Sequence, residues 1–276
     1  MIHTSRQLKD LVRNISKSDS TKAQIIIRNY IMERFLERLS LSPYRNNFIL
    51  KGGILVSAMV GLDARSTLDV DATIKNYPLS MENASKMVSE IALIPIDDGI
   101  TFQLKGVDNI IDEVDYGGVR VSMEALLDKM RTPLKIDVST GDVITPHEIS
   151  YAFKLMFEER TISLLAYNLE TVLAEKLETV ISRRLANTRM RDYYDLYILQ
   201  NEQAKNIDKD LLKVALANTC KKRNSTTAFQ DVMITLGEIE QSEDMQKLWS
   251  DYGRNYSYAK DIHWVDVINS IRILIE

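Results

Sequence analysis

One cysteine, three histidines and five prolines in a chain of 276 residues remove several classes of protein at the outset. Cys220 has no partner for an internal disulfide, and His3, His147 and His263 are too scattered to form a zinc-ligand cluster. No apolar run approaches the roughly 18 residues needed to cross a bilayer. The segment Met1 to Ser20 is polar and helical in pattern and lacks the apolar core of a signal peptide, so a cytoplasmic protein without membrane contact is expected. Charge of one sign is also lacking. A net charge of −4 argues against nonspecific coating of nucleic acid, although a local basic face can still steer a phosphate backbone. What remains, 45% hydrophobic and 27% charged residues without repeats, reads as a globular chain with one large domain or two modest ones.

The texture changes along the chain. The first forty residues read as helices, with Ile26, Tyr30, Phe35 and Leu39 on one stripe. Asn47–Lys51 reads as a short strand, followed by Gly52-Gly53 and a helix from Ile54 to Val60 that stops at Gly61. Further strands are predicted at Leu68–Lys75, Thr101–Ile111, Gly118–Met123, Pro133–Thr140, Ile149–Phe157 and Thr161–Ala166, with a helix over 80–93. From Leu169 the pattern is helical: 169–186, 190–203, 208–220, then two or three more helices. No proline follows Pro146, and only Gly237 and Gly253 follow Gly141. The expected division is an N-terminal helical lead-in over 1–41, a mixed α/β domain over 42–167 and a helical domain over 168–276.

The chemistry concentrates between Lys51 and Asp71. Side chains alternate along a strand, so Asp69 and Asp71 share one face, while Leu68, Val70 and Ala72 point the other way. Neighbouring carboxylates repel, and a cation between them relieves that repulsion. Magnesium held by one or two carboxylates and substrate phosphates suits such a pair. Asp137 lies between Ile136 and Val138 in an apolar strand. If that strand lies beside the first, three aspartates converge, enough for metal-assisted phosphoryl displacement. Gly52 and Gly53 at a strand-to-helix junction let backbone approach a ligand and offer helix N-terminal N–H groups to a phosphate. Taken singly, Gly-Gly is a turn, Asp-x-Asp a solvated strand face and Asp137 a strand-edge charge; together, in this order, they outline a nucleoside triphosphate site.

The order hydrophobic-Gly-Gly, Asp69-Val-Asp71, then Ile136-Asp137-Val138 resembles the DNA polymerase β-like nucleotidyltransferase superfamily. More narrowly, Lys51–Asp71, Leu134–Asp142, the Glu175-Lys176 pair and Arg191-Asp-Tyr-Tyr-Asp195 resemble the AbiEii/AbiGii toxin family, over about residues 45–200. The resemblance implies an α/β (α+β) fold: a polymerase β-like nucleotidyltransferase domain with a mixed sheet, followed by a helical C-terminal domain, with the active site in the cleft between them. It implies a toxin of a bacterial toxin–antitoxin or abortive phage-infection system, using a nucleoside triphosphate (NTP) with Mg2+ or Mn2+ and counteracted by a separately encoded antitoxin. Relatives including the MenT toxins transfer nucleotides to tRNA 3′ ends, so an RNA acceptor, a tRNA 3′ end, is the implied partner.

The later motifs also have a reading of their own. Lys176 falls inside the apolar stripe Leu169, Val172, Leu173, Leu177, Val180, where its charge needs a partner: a triphosphate, the carboxylate cluster, or water reached by snorkelling. In the next helix Met190, Tyr193, Tyr194 and Tyr197 form one face, and Asp192 and Asp195 share the other with Leu196 and Leu199. Arg191 can pair with Asp195 at i, i+4. The family implies an essential acidic residue here, Asp192 ahead of Asp195. Arg65, Ser66 and Thr67 are candidate phosphate contacts or a solvated turn. Arg183, Arg184, Arg189 and Arg191 are candidate RNA-backbone contacts or a solvated charged face. The rival readings are nucleotidyl transfer to a protein or small-molecule hydroxyl, a silent nucleotide-binding toxin, and an interaction protein with structural aspartates.

Overall fold

The computed structural model describes residues 2–17, 19–63, 65–110 and 117–276. Two helices open it. Helix α1 (Ser5–Ser16) starts from a capping box in which Thr4 accepts from the Gln7 backbone N–H and the Gln7 side chain accepts from the Thr4 N–H. Helix α2 (Ser20–Leu41) is capped by Asp19, which accepts from Thr21 and Lys22.

A strand–helix–strand unit follows: β1 (Phe48–Lys51), α3 (Gly52–Val60) and β2 (Asp69–Ile74). After α4 (Met81–Ala92) come β3 (Ile100–Ile110), β4 (Gly118–Leu127), β5 (Met130–Thr140), β6 (Ile149–Lys154) and β7 (Thr161–Ala166). They form one seven-stranded mixed sheet in the order β3-β4-β5-β2-β1-β7-β6. Strands β2 and β5 run parallel, as do β1 and β7, and every other neighbouring pair is antiparallel. The helical part comprises α5 (Leu169–Arg183), α6 (Met190–Gln203), α7 (Lys209–Lys222), α8 (Val232–Gln241), α9 (Glu243–Asn255) and α10 (Trp264–Ile275).

The chain divides into two compact units. The first holds Met1–Leu62, Ser66–Asp142 and Ile149–Ala166; the second holds Asp63–Arg65, Val143–Glu148 and Tyr167–Glu276. The two N-terminal helices belong to the sheet-bearing unit. Leu8 and Val12 of α1 and Ile26, Tyr30 and Ile31 of α2 share an apolar cluster with Ile100, Ala125 and Leu127 of the sheet.

Two features differ from the sequence pattern. Strand β4 continues past Met123 to Leu127 and pairs with β5 down to Leu127–Met130, closing a tight turn in which Asp128 takes φ 52°. Glu124 and Arg131, which lie outside the predicted strands, form an ion pair of 2.8 Å on the exposed side, while Ala125 and Leu127 are buried. Helix α2 is not amphipathic in its second half: Asn29 to Leu39 is buried throughout, four charged residues included. Three of those charges are matched closely, Arg38 to Asp98 at 2.7 Å and Arg34 to Glu37 and Glu158 at 2.8 and 3.1 Å, while Glu33 lies 4.0 Å from Arg34. Ile111, the last residue expected in β3, lies outside the described residues. No helix among the described residues is long and apolar enough to cross a membrane.

Candidate active site

Strand register assembles the carboxylates. Antiparallel β1 sets Lys51 opposite Asp71, and parallel β5 sets Asp137 opposite Asp71 on the other side. Adjacent strands lie about 4.8 Å apart, so Asp71 and Asp137 are direct neighbours, with Asp69 one alternation along the same face. The Asp71 pKa rises to about 6, first because burial penalises its charge and next because Asp137 lies beside it; Asp69 adds to the effect, while the Gly53 N–H and Lys51 oppose it.

The Gly52-Gly53 turn is built around Asp71. Helix α3 has no side-chain cap of its own; the Gly53 N–H donates instead to Asp71 Oδ2 at 3.2 Å. Gly52 takes φ 65°, and a Cβ there would come within 2.7 Å of Asp71 Cβ and Cγ. Only glycine lets the helix start close over that carboxylate. The turn expected to receive a phosphate thus also grips the central acid.

Three further residues complete the centre. Arg120 of β4, in register with Asp137, forks onto its carboxylate with Nε and Nη2 at 2.7 and 2.6 Å. Lys51 forms an ion pair with Asp142, which also accepts from the Ser139 hydroxyl at 2.8 Å. Sequence reading assigned roles to none of Arg120, Lys51 and Asp142. The signal for Arg120 was the lone basic residue of β4, and its meaning depends on which residue of β5 faces it.

A hard divalent cation suits this donor set, because oxygen ligands clustered with a raised carboxylate pKa are relieved by positive charge. Asp137 is turned to Arg120, and among the described residues no three His, Cys, Asp or Glu side chains are already gathered as a metal-holding group.

The second unit contains a separate ion cluster. Asp195 is fully buried and accepts from Arg65 Nε and Nη2 at 2.5 and 3.2 Å, with Lys176 Nζ at 2.6 Å. Lys176 also donates to Asp192 at 3.0 Å. Burial alone would raise the Asp195 pKa, but Lys176 and Arg65 overcome it and hold the carboxylate below its usual range. The same carboxylates outweigh burial for Lys176 and raise its pKa. Lys176 therefore already has protein partners for its inward charge. Arg65 departs from the expectation of a phosphate contact: it is 1% exposed and committed to Asp195. Ser66 and Thr67 are buried, and Thr67 Oγ1 reaches the Asp69 carbonyl at 3.4 Å, which is a local turn contact.

The local alternative, an Arg191–Asp195 pair, does not form: Arg191 donates to the Tyr256 hydroxyl at 3.2 Å and sits over that ring. Asp192 and Asp195 differ in burial: Asp192 is half-buried, whereas Asp195 is buried, as are Tyr193, Tyr194 and Leu196. Arg184 and Arg189 are exposed and Arg183 is half-buried; Arg184 donates to Thr235 Oγ1 at 2.9 Å.

A mixed sheet presenting neighbouring aspartates beside a Gly-Gly helix start is the framework of a nucleotidyltransferase. The family model described as "Nucleotidyl transferase AbiEii toxin, Type IV TA system" matches residues 34–268, and the chain belongs to that family. It is thus a nucleotidyltransferase toxin of a type IV toxin–antitoxin system, which implies an NTP substrate and a separate antitoxin. A search of the curated proteins returns no match. Similar solved structures include JHP933 from Helicobacter pylori, 15% identical, with 91% of this chain and 91% of that chain covered at a TM-score of 0.49. Another is an antigenic nucleotidyltransferase-like protein from Paracoccidioides brasiliensis, 16% identical, with 82% of this chain and 92% of that chain covered at a TM-score of 0.38.

Proposed function

We propose that this chain transfers a nucleotidyl group from an NTP to an RNA acceptor, a tRNA 3′ end, using Mg2+ or Mn2+ held by Asp69, Asp71 and Asp137. The observation that carries the reading is the registered pairing of Asp71 with Asp137, which leaves a raised, crowded carboxylate under the Gly52-Gly53 turn. The metal, when bound, supplies charge neutralisation for the triphosphate and its pyrophosphate leaving group.

The chain's own residues do the rest. Gly53 orients Asp71 through its N–H, and Arg120 orients Asp137. The acceptor hydroxyl oxygen bonds to the α-phosphorus, the α–β phosphoanhydride bond breaks, and Asp137 takes the hydroxyl proton. In the helical unit we assign Lys176 and Asp192 to the nucleotide, as the resemblance implies, and give Asp195 and Arg65 the task of fixing Lys176. Arg183, Arg184, Arg189 and Arg191 are assigned to the RNA backbone. Such a substrate places the reaction in the cytoplasm, where halting translation would serve abortive infection and phage defence.

The test is incubation of the wild type with each labelled NTP, Mg2+ or Mn2+, and purified total tRNA, beside an Asp69→Ala control. Label on the tRNA 3′ end that depends on Asp69 and falls as salt rises supports the reading. Label on a protein band, or on no RNA under any nucleotide and metal, overturns it.

A further inference from the structure

Away from the carboxylate centre, and sharing none of its residues, the sheet-bearing unit holds a cavity of about 410 Å³, within the size range of small-molecule sites. Helix α2 supplies Asn29 and Glu33, α3 supplies Ile54 and Ser57, and the β6–β7 hairpin supplies Phe153 and Phe157. The walls are largely apolar, so the few polar atoms decide what can enter.

The two that α2 contributes, Glu33 and Asn29, present acceptors. Glu33 is 7% exposed; its Oε2 accepts from the Met156 N–H at 2.7 Å, and its Oε1 takes no hydrogen bond among the described residues. Asn29, one helical turn earlier on the same face, spends its amide N–H groups on the Ile25 and Thr67 carbonyls, at 2.9 and 3.2 Å. That leaves Asn29 Oδ1 as a second acceptor four residues from the first. Two unpartnered acceptors on one stripe in an apolar cavity call for a ligand with at least two donors and an apolar body.

Local charge selects a cation among such ligands. The ionisable groups around Glu33 are Arg34 and Glu37 on α2 and Glu158 and Arg160 on the hairpin, with the Tyr30 hydroxyl nearby. Helix α3 presents only neutral residues to the cavity. Arg34 and Arg160 are matched by Glu37 and Glu158, through contacts of 2.8 and 3.1 Å from Arg34 and 2.5 Å from Arg160 to Glu37. Glu33 is the remaining carboxylate, 4.0 Å from Arg34. At the rim Lys154 pairs with Glu159 at 3.8 Å. Burial, the largest influence, raises the Glu33 pKa to about 8, so the acid is mostly protonated at neutral pH and ionises when a cation reaches it.

We propose that this cavity binds a small organic cation, an amidinium or primary ammonium on an apolar body, held by Glu33 and Asn29.

Benzamidine and its neutral isostere benzamide are the probes, titrated into the full-length protein by calorimetry and by amide chemical shifts. Benzamidine is expected to bind at least about tenfold more tightly than benzamide, because a fork of cationic N–H groups matches a carboxylate. Its shifts should centre on residues 29–33, 54–61 and 153–159. A Glu33 pKa of about 8 also makes benzamidine binding about tenfold tighter at pH 9 than at pH 7, since the probe stays cationic while the acid ionises. Glu33→Gln should bring benzamidine down to the level of benzamide, and Ala58→Phe should exclude both by filling the cavity from α3. Equal binding of the two probes, binding of neither, an affinity independent of pH, or shifts elsewhere would overturn the proposal. If Glu33→Gln does not fold, Ala58→Phe and the wild-type pH series decide the question.

Discussion

Replacing Asp195 by asparagine should destabilise the helical unit far more than removing Lys176. Asp195 is 0% exposed and joins two cations, Arg65 at 2.5 Å and Lys176 at 2.6 Å, while Asp192 balances the second charge at 3.0 Å. The four groups sum to zero. Asparagine keeps the shape but leaves one net positive charge in a space where Arg65 is 1% exposed and cannot reach water. Breaking a buried ion pair from one side costs about 3–5 kcal/mol, mostly the desolvation of the stranded partner. A domain of this size has about 5–15 kcal/mol in all, so the variant sits near the edge of unfolding.

Lys176→Met is the control. It removes a cation and its desolvation cost together, leaves Arg65 with Asp195, and frees half-buried Asp192 to turn to water. The loss should stay within about 1–2 kcal/mol. Both tryptophans, Trp249 and Trp264, lie in the helical unit, so urea unfolding followed by fluorescence reports on that unit directly. The expectation is a gap of at least about 2 kcal/mol between the variants, with Lys176→Met folded yet inactive in nucleotidyl transfer. Asp195→Asn within 1 kcal/mol of wild type would refute the reasoning, because the cluster would then not be a structural lock.

Further outcomes follow from the carboxylate centre. Without divalent metal, stability should fall as pH rises from about 4 to about 6 and then level off, since native Asp71 retains a proton that the unfolded chain releases; the contribution is at most about 3 kcal/mol, less where water reaches the carboxylate. Asp71→Asn should flatten that slope in urea titrations at several pH values. Gly52→Ala forces a side chain into φ 65° and onto Asp71, so it should cost about 1–3 kcal/mol by thermal unfolding and abolish transfer. Arg120→Ala releases Asp137 from its fork and should tighten Mn2+ binding several-fold by calorimetry while slowing transfer; unchanged metal affinity would show that the fork does not compete with the ion.

Much of the architecture was legible because long elements carry their own periodicity. The strand at Thr161–Ala166 and the helix at Met190–Gln203 fall where the pattern put them, bounded by Asn168 as an N-cap in one case and by a break at Asn187 in the other. The predicted strands stop at Met123 and resume at Pro133, because the charges of Glu124, Asp128 and Arg131 interrupt the apolar pattern, and only cross-strand pairing shows that they occupy the exposed side and the turn. Helix α2 hid its burial for a similar reason. Glu33, Arg34, Glu37 and Arg38 look like a solvated face, and the partners of the last three, Glu158, Arg160 and Asp98, lie far away in sequence.

The site divides along the same line. Asp69 and Asp71 could be placed on one face from strand alternation alone, and Asp137 from its apolar flanks, since both signals are local. Which strand lies beside which is not local, and that decides what each acid meets: Asp71 meets Asp137 and the Gly53 N–H, and Asp137 meets Arg120. The same holds for Lys176, whose inward position was readable from the stripe of α5 but whose partners come from α6. Spacing within α6 left Asp192 and Asp195 equivalent. Burial separates them, because a carboxylate enclosed by two cations is already satisfied, whereas the half-buried one, sharing a single ammonium, has coordination to spare for a ligand.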